Sequence, residues 1–192
     1  MKKIILASAS PRRKEILEIT GLEFTVCASD YKENLNLSLT PRNLARFLSR
    51  KKAETVSRKY ENSIIIAADT FIVFKNRFLG KPHSNMEAEK MIGMLNGKKH
   101  SVITGFTIID TDRNKVLSRS VETVVHFKRS SKKEIKAYVE SKEPMGKAGS
   151  YAVQGLGAIL IKKIDGDFFN VMGLPLNALT EGLKKFDVHV LN

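Results

Sequence analysis

The 192-residue sequence predicts a mixed fold of helices and strands, α/β or α+β rather than a pure doubly wound sheet. Two observations carry that prediction. Short β-branched apolar runs alternate with segments whose apolar residues recur at helical spacing. Some neighbouring strands are joined by short polar turns of the hairpin kind, which an all-parallel sheet does not use.

Taken in order, residues 3–7 read as a buried strand, being short, apolar and β-branched. Ser8-Ala9-Ser10-Pro11 turns into a helix over about 12–20, with Ser10 as N-cap and Pro11 at the first helical position, where its missing N–H costs little. Gly21 ends it, and a strand follows around 23–28. After a polar segment at 29–39, Thr40-Pro41 repeats the cap-plus-proline signature and opens a helix to about Tyr60. Residues 63–74 form the most apolar run in the chain, and Lys75-Asn76-Arg77 reads as a hairpin turn into a return strand at 78–80. A helix over about 84–96 has Ser84 as cap and Glu87 as capping-box partner. Strands near 100–110 and 116–127 flank the Asp110–Lys115 turn, and a helix over about 131–141 is capped by Ser130 or Ser131. The glycine-rich stretch 142–157 reads as an ordered loop. It is followed by a strand at 158–164, a loop, a helix from Pro175 to Phe186 and a last strand at 187–191. No repeat, low-complexity stretch or linker interrupts the chain, so residues 1–192 read as one domain.

Composition narrows the class. At 42% hydrophobic residues the chain is too apolar for disorder, and nowhere does it approach the ~20 uninterrupted apolar residues of a membrane span. Ile4-Ile5-Leu6-Ala7 is too short for the apolar core of a secretory signal. One cysteine, Cys27, forms no internal disulfide, and four scattered histidines lack metal-finger spacing. A cytoplasmic protein with no membrane partner is expected. The 33 basic against 20 acidic residues leave +13, which suits a nucleic-acid binder or an enzyme acting on polyanions. The basic residues divide 11, 11 and 11 among residues 1–52, 53–127 and 128–192, with no basic tail and no tryptophan for stacking.

Three places break the fold-making pattern and are candidate functional positions. At Ser8–Arg13 a strand turns through small hydroxyl residues into a helix start, which offers backbone N–H groups to an anion, with two arginines as bidentate phosphate donors. The ordinary alternative is a capped helix with solvated arginines. Asp69 lies inside the apolar run 64–74, where a carboxylate must be protonated, paired, metal-bound or open to a cleft. Lys52 falls near the middle of the apolar arc of Leu44, Phe47, Leu48, Val56 and Tyr60, either as a snorkelling lysine or as a functional cation. Lys81, in Gly80-Lys81-Pro82, is a further candidate.

These segments resemble the Maf family of nucleoside triphosphate pyrophosphatases, related in fold to the inosine triphosphatase group. The resemblance covers essentially the whole chain. It rests on the ordered motifs Ser8-Ala9-Ser10-Pro11-Arg12-Arg13, Glu33, Arg50-Lys51-Lys52-Ala53, Ala67-Ala68-Asp69-Thr70, Gly80-Lys81-Pro82, Glu143-Pro144, Lys147-Ala148-Gly149-Ser150-Tyr151, Gln154-Gly155 and Asn170-Val171-Met172-Gly173-Leu174-Pro175-Leu176. The resemblance implies a twisted mixed sheet flanked by helices, with a central cleft between two lobes. It implies hydrolysis between the α and β phosphates, giving a nucleoside monophosphate and pyrophosphate with Mg²⁺ or Mn²⁺, and a homodimer.

Ser8, Ser10 and Arg13 then match substrate-binding positions, Lys52 and Lys81 match catalytic phosphate-contacting ones, Asp69 matches the proton acceptor, and Glu33 with Asp69 match metal-binding carboxylates. Arg12, Thr70 and Gln154 match positions that separate dTTP/UTP enzymes from those acting on 7-methyl-GTP. A neutral amide at Gln154 offers donor and acceptor to a pyrimidine edge, which favours the dTTP/UTP type. Where the family commonly has Asp before Lys-Ala-Gly, this chain has Gly146. The alternatives are the same chemistry on 7-methyl-GTP or modified nucleotides, or a nucleic-acid-binding septum regulator in keeping with the family's association with cell-division arrest. For the enzyme, no nucleic-acid partner is expected.

Overall fold

The computed structural model describes residues 2–32 and 37–191. The elements are β1 (Lys3–Leu6), α1 (Pro11–Glu18), β2 (Thr25–Val26), α2 (Pro41–Ser57), β3 (Ser63–Phe74), β4 (Arg77–Leu79), α3 (Asn85–Leu95), β5 (Lys99–Asp110), β6 (Lys115–Phe127) and α4 (Lys132–Glu140). Two 3-10 turns (Ala148–Ser150 and Gly155–Leu160) lead to β7 (Ile161–Asp165), α5 (Phe168–Met172) and α6 (Leu176–Lys184). Among the described residues, seven strands form one sheet in the order β2-β1-β3-β5-β6-β7, with β4 paired to β3 off that path. β1 runs parallel to β2 and β3, whereas the β3–β4 and β6–β7 pairs are antiparallel. The fold class is therefore mixed α/β, as the alternation and hairpins predict. Among the described residues no helix is long and apolar enough to cross a membrane.

Two compact units divide the chain. The first comprises Met1–Thr70, Thr104–Val121 and Gly173–Asn192. Its core includes Ile5, Ile65, Ala67 and Ile109 from the strands against Ala53 and Val56 of α2, with Cys27 and Tyr60 packed beside them. The α2 face follows from sequence spacing: Leu44, Leu48, Ala53 and Val56 recur at helical intervals and are fully buried. Full burial of each such Leu or Val side chain contributes ~1.5–3 kcal/mol. Thr40 caps α2 by accepting the Asn43 N–H at 3.4 Å. At Gly105 the β5 backbone comes so close to α2 that an added Cβ would lie 2.2 Å from the Ala45 carbonyl carbon and oxygen.

The second unit comprises Phe71–Ile103 and Glu122–Met172. Its core gathers Ile92 and Leu95 of α3, Val102, Val125 and Phe127 of the strands, Tyr138 and Val139 of α4, and Tyr151. The β3–β4 hairpin closes with Phe74 opposite Arg77. Its two turn residues, Lys75 and Asn76, both have positive φ (49° and 60°), the type I′ pattern whose twist matches the strands. Ser131, not Ser130, caps α4, and with Glu134 it forms a complete capping box.

Several local expectations differ from the structure. Ser84 accepts the Glu87 N–H, but the Glu87 carboxylate accepts from His83 N–H rather than closing a box on Ser84. Residues 158–160 belong to a 3-10 turn, so β7 starts at Ile161. Residues 168–172, read as loop, form a short helix. No strand forms at 187–191: Asp187 adopts a φ of 59°, which turns the chain off an extended course after α6.

His100, 3% exposed, couples this second core to acidity. Its Nε2 lies 2.6 Å from the Tyr151 hydroxyl, and its ring meets Phe127 and Tyr151 edge to face. Burial, aided by the nearby His126, lowers its pKa to about 4. Between pH 6.5 and 4 the unfolded chain takes up a proton at this position that the folded chain refuses. Stability is therefore full above pH 6.5 and falls as the pH drops toward 4, by up to ~1.4 kcal/mol per pH unit. Urea titrations across this range should show that slope, and His100→Gln should flatten it. An unchanged slope in the variant would assign the acid sensitivity elsewhere.

Candidate active site

β1 delivers the chain to the Ser8–Ser10 turn. There the Leu6 carbonyl accepts both Ser8 N–H (2.9 Å) and Cys27 N–H (3.0 Å), and Ala7 N–H reaches Ile66 O at 2.7 Å. Ser10 occupies the N-cap position of α1, extended and followed by Pro11, but its side chain makes no capping bond. Its own N–H instead donates to Ser8 Oγ at 3.2 Å. First-turn N–H groups of a helix have no carbonyl of their own helix to bond, and a cap that leaves them to an outside acceptor suits an anion.

Arg13 binds residues from three parts of the chain. Its Nε donates to the Gly173 carbonyl at 2.9 Å, one terminal nitrogen to Ser8 Oγ at 3.3 Å and the other to Thr70 Oγ1 at 3.1 Å. Thr70 Oγ1 also lies 3.0 Å from Thr104 Oγ1 and 3.4 Å from the Gly173 oxygen. Gly173 holds a φ of 118°, a conformation that L side chains rarely adopt, which explains a glycine at the point that receives the guanidinium. Neither Gly173 nor Thr104 was assigned a role from sequence. The signal for Gly173 was the glycine within the Asn170–Leu176 motif; Thr104, inside an apolar strand, carried none.

One residue earlier on β3, Asp69 is 6% exposed and pairs with Lys52 Nζ, whose side chain is 14% exposed. The lysine in the apolar arc of α2 is thus held by a carboxylate in the apolar run of β3. Each pattern break accounts for the other. Successive strand residues leave from opposite faces, so Asp69 follows Ile65 and Ala67 toward α2 while Thr70 turns to the other face. Lys52 and Arg13 thereby meet the same two-residue stretch of β3 from its two sides. Arg12 is half-buried on α1, with no hydrogen bond or ion pair among the described residues.

Lys81 and Gln154 belong to the second unit, and both are exposed. Gly80-Lys81-Pro82 is tied to the Lys147–Ser150 turn by a hydrogen bond from Gly149 N–H to Gly80 O at 2.9 Å. Gln154 precedes a turn built on the Glu143 carboxylate, which accepts Leu156 N–H and Gly157 N–H at 2.8 Å each and the Tyr138 hydroxyl at 3.2 Å. Burial and that carboxylate push the Tyr138 hydroxyl pKa upward, so it stays a donor. Gly155 is required: its φ is 81°, and a Cβ there would lie 2.5 Å from Glu143 Oε2. The sequence named Glu143 only as a motif member, and the structure makes it the anchor of the Gln154 turn. Gly146 stands at φ 74° with nothing within 4 Å of an added Cβ, so an aspartate there would meet backbone strain but no clash. Glu33 lies outside the described residues.

Among the described residues no three His, Cys, Asp or Glu side chains gather as a metal cage. A small hard divalent cation needs only one or two carboxylates when substrate phosphates and water complete its shell. Asp69 offers such a carboxylate, so the donor set fits a cation that arrives with a phosphorylated substrate.

The fold and these side chains define a mixed α/β protein with a strand–helix turn whose helix start lacks a side-chain cap, beside a half-buried lysine paired with a buried carboxylate. The chain belongs to the Maf family: the family description "Maf-like protein" matches residues 3–186. It is similar to the dTTP/UTP pyrophosphatase of Methanosarcina barkeri, at 46% identity covering 99% of this chain and 97% of that protein. It is also similar to the dTTP/UTP pyrophosphatase of Bacillus cereus, at 42% identity covering 99% and 93%. Among solved structures it matches the Staphylococcus aureus Ham1 protein at 14% identity and a TM-score of 0.45, over 83% of this chain and 80% of that one.

Proposed function

We propose that this protein is a nucleoside triphosphate pyrophosphatase that hydrolyses dTTP and UTP to the monophosphate and pyrophosphate. The observation that carries the reading is the approach of Arg13 and Lys52 to Asp69-Thr70 beside the uncapped start of α1. A triphosphate tail needs such donors, and its hydrolysis needs a carboxylate to orient or deprotonate water. Near-full-length similarity to two proteins named dTTP/UTP pyrophosphatase supports the substrate class.

In this reading Ser8, Ser10 and Arg13 bind phosphate oxygens, and Lys52 and Lys81 balance the charge that develops on the leaving pyrophosphate. Asp69 accepts the proton of the attacking water. Asp69, with Glu33, would also hold Mg²⁺ or Mn²⁺, which supplies charge neutralisation at the phosphates. Arg12, Thr70 and Gln154 select the base. The proposal extends to a cytoplasmic homodimer, for which light scattering should give twice the chain mass.

Incubation with a panel of nucleoside triphosphates and Mg²⁺ or Mn²⁺ should release pyrophosphate fastest from dTTP and UTP. Release of orthophosphate would reject the reaction class, and a preference for 7-methyl-GTP would reject the substrate.

A further inference from the structure

The basic residues are spread evenly along the chain, yet folding gathers eight of them on one face of the second unit. Two open grooves lie there, of about 750 and 880 Å³, and both are lined by Phe74, Lys75 and Lys98. The first adds Arg77 and Lys90, with Glu87 as its one carboxylate among the described residues. The second adds Lys99, Lys128, Arg129 and Lys162, with no acidic residue in its lining among the described residues. Of the eight cations, Lys128 is engaged with Glu134 at 2.9 Å, and Lys98 donates to the Met94 carbonyl at 3.1 Å.

The type I′ turn places Lys75 where both grooves share it, and its Nζ and that of Lys98 lie 5.7 and 5.6 Å from the Phe74 ring centre. Phe78, 39% exposed, lines the first groove beside Met94. Among the described residues, none of those assigned to the nucleotide site lines either groove.

We infer that this band binds single-stranded nucleic acid. Its cations exceed what the phosphates of one nucleotide can neutralise, and they continue from one groove into the next, as a polyphosphate backbone requires. The aromatic and thioether side chains among them give unpaired bases an apolar contact, which a duplex, presenting mainly its backbone, would not use. The concave lining sets it apart from a flat membrane-binding face.

Anisotropy of fluorescein-labelled oligothymidylate and oligouridylate of about 20 nucleotides tests this, with the two strands distinguishing DNA from RNA. Binding is expected with a Kd near or below about 10⁻⁵ M at ~50 mM salt, weakening steeply as salt rises. Lys98→Glu with Arg129→Glu should weaken it at least ~10-fold and flatten the log–log salt slope by about 1.4, while pyrophosphate release from dTTP stays unchanged. Lys99→Ala with Lys162→Ala, both at exposed positions, gives a milder second pair should the reversal disturb folding. Equal affinity in wild type and both pairs would overturn the inference. So would loss of binding in Arg13→Ala alone, which would put the strand in the nucleotide site. Adsorption to anionic phospholipid vesicles without oligonucleotide binding would make the face a membrane contact instead.

Discussion

Asp69→Asn is expected to lower kcat for pyrophosphate release by about 10³-fold or more, with KM changing far less. The substitution keeps the shape and one oxygen acceptor but removes the negative charge and the ability to take a proton, which general-base catalysis values at ~10²–10⁴. Asp69 is buried and paired with Lys52, so the side chain is held in one place rather than sampling solvent. An amide in its place loses the ion pair, and truncating one partner of a buried pair costs up to ~3–5 kcal/mol. Circular dichroism and a melting curve must therefore accompany the kinetics. A folded variant with wild-type kcat would remove Asp69 from the mechanism. Lys52→Met is the informative companion: if Lys52 balances phosphate charge as well as holding Asp69, kcat falls in a protein whose carboxylate is intact.

Gly105→Ala should be the most destabilising single-methyl change in the first unit, at ~3 kcal/mol or more. The added Cβ would stand 2.2 Å from Ala45 C and O and 2.5 Å from Arg46 N, all backbone atoms of α2. A flexible side chain could rotate away, but a helix backbone must shift as a whole and drag Leu44, Leu48 and Ala53 out of their packing. Urea unfolding gives the loss directly. A variant within ~0.5 kcal/mol of wild type would mean that α2 and β5 can separate without cost. Because α2 also carries Lys52, activity should fall along with stability.

Element positions were largely legible in the sequence because their signals are local. Thr40-Pro41 starts α2, the 63–74 run forms β3 over those residues, and the turn read at Lys75-Asn76-Arg77 is a hairpin whose turn residues are Lys75 and Asn76, Arg77 already pairing with Phe74 in β4. Errors fell where two local signals compete. Ser10 sits at a helix start yet its side chain makes no capping bond, and its backbone N–H turns back to Ser8 Oγ. Residues 187–191 have strand-like composition but no neighbouring strand to pair with among the described residues.

The candidate site divides the same way. Asp69 and Lys52 stood out as local violations, a charge in an apolar run and a cation in an apolar arc, since burying a lone charge is costly enough to be visible in one dimension. That each is the other's partner required α2 to lie over β3. Gly173 and Glu143 act through a carbonyl and a carboxylate that receive donors from residues distant in sequence or across a turn, and spacing alone does not reveal such contacts.

By itself the sequence determined the class of fold, the family and the identity of the charged residues that break the pattern. These depend on local propensity and on motif order. Only the tertiary structure decided which charges meet. The count of +13 and its even 11, 11, 11 spread of basic residues suggest no focus, whereas folding brings Arg13 to Thr70, Lys52 to Asp69 and eight cations to two adjoining grooves. Coulomb interactions depend on distance through space, and chain position constrains that distance only weakly beyond a few residues.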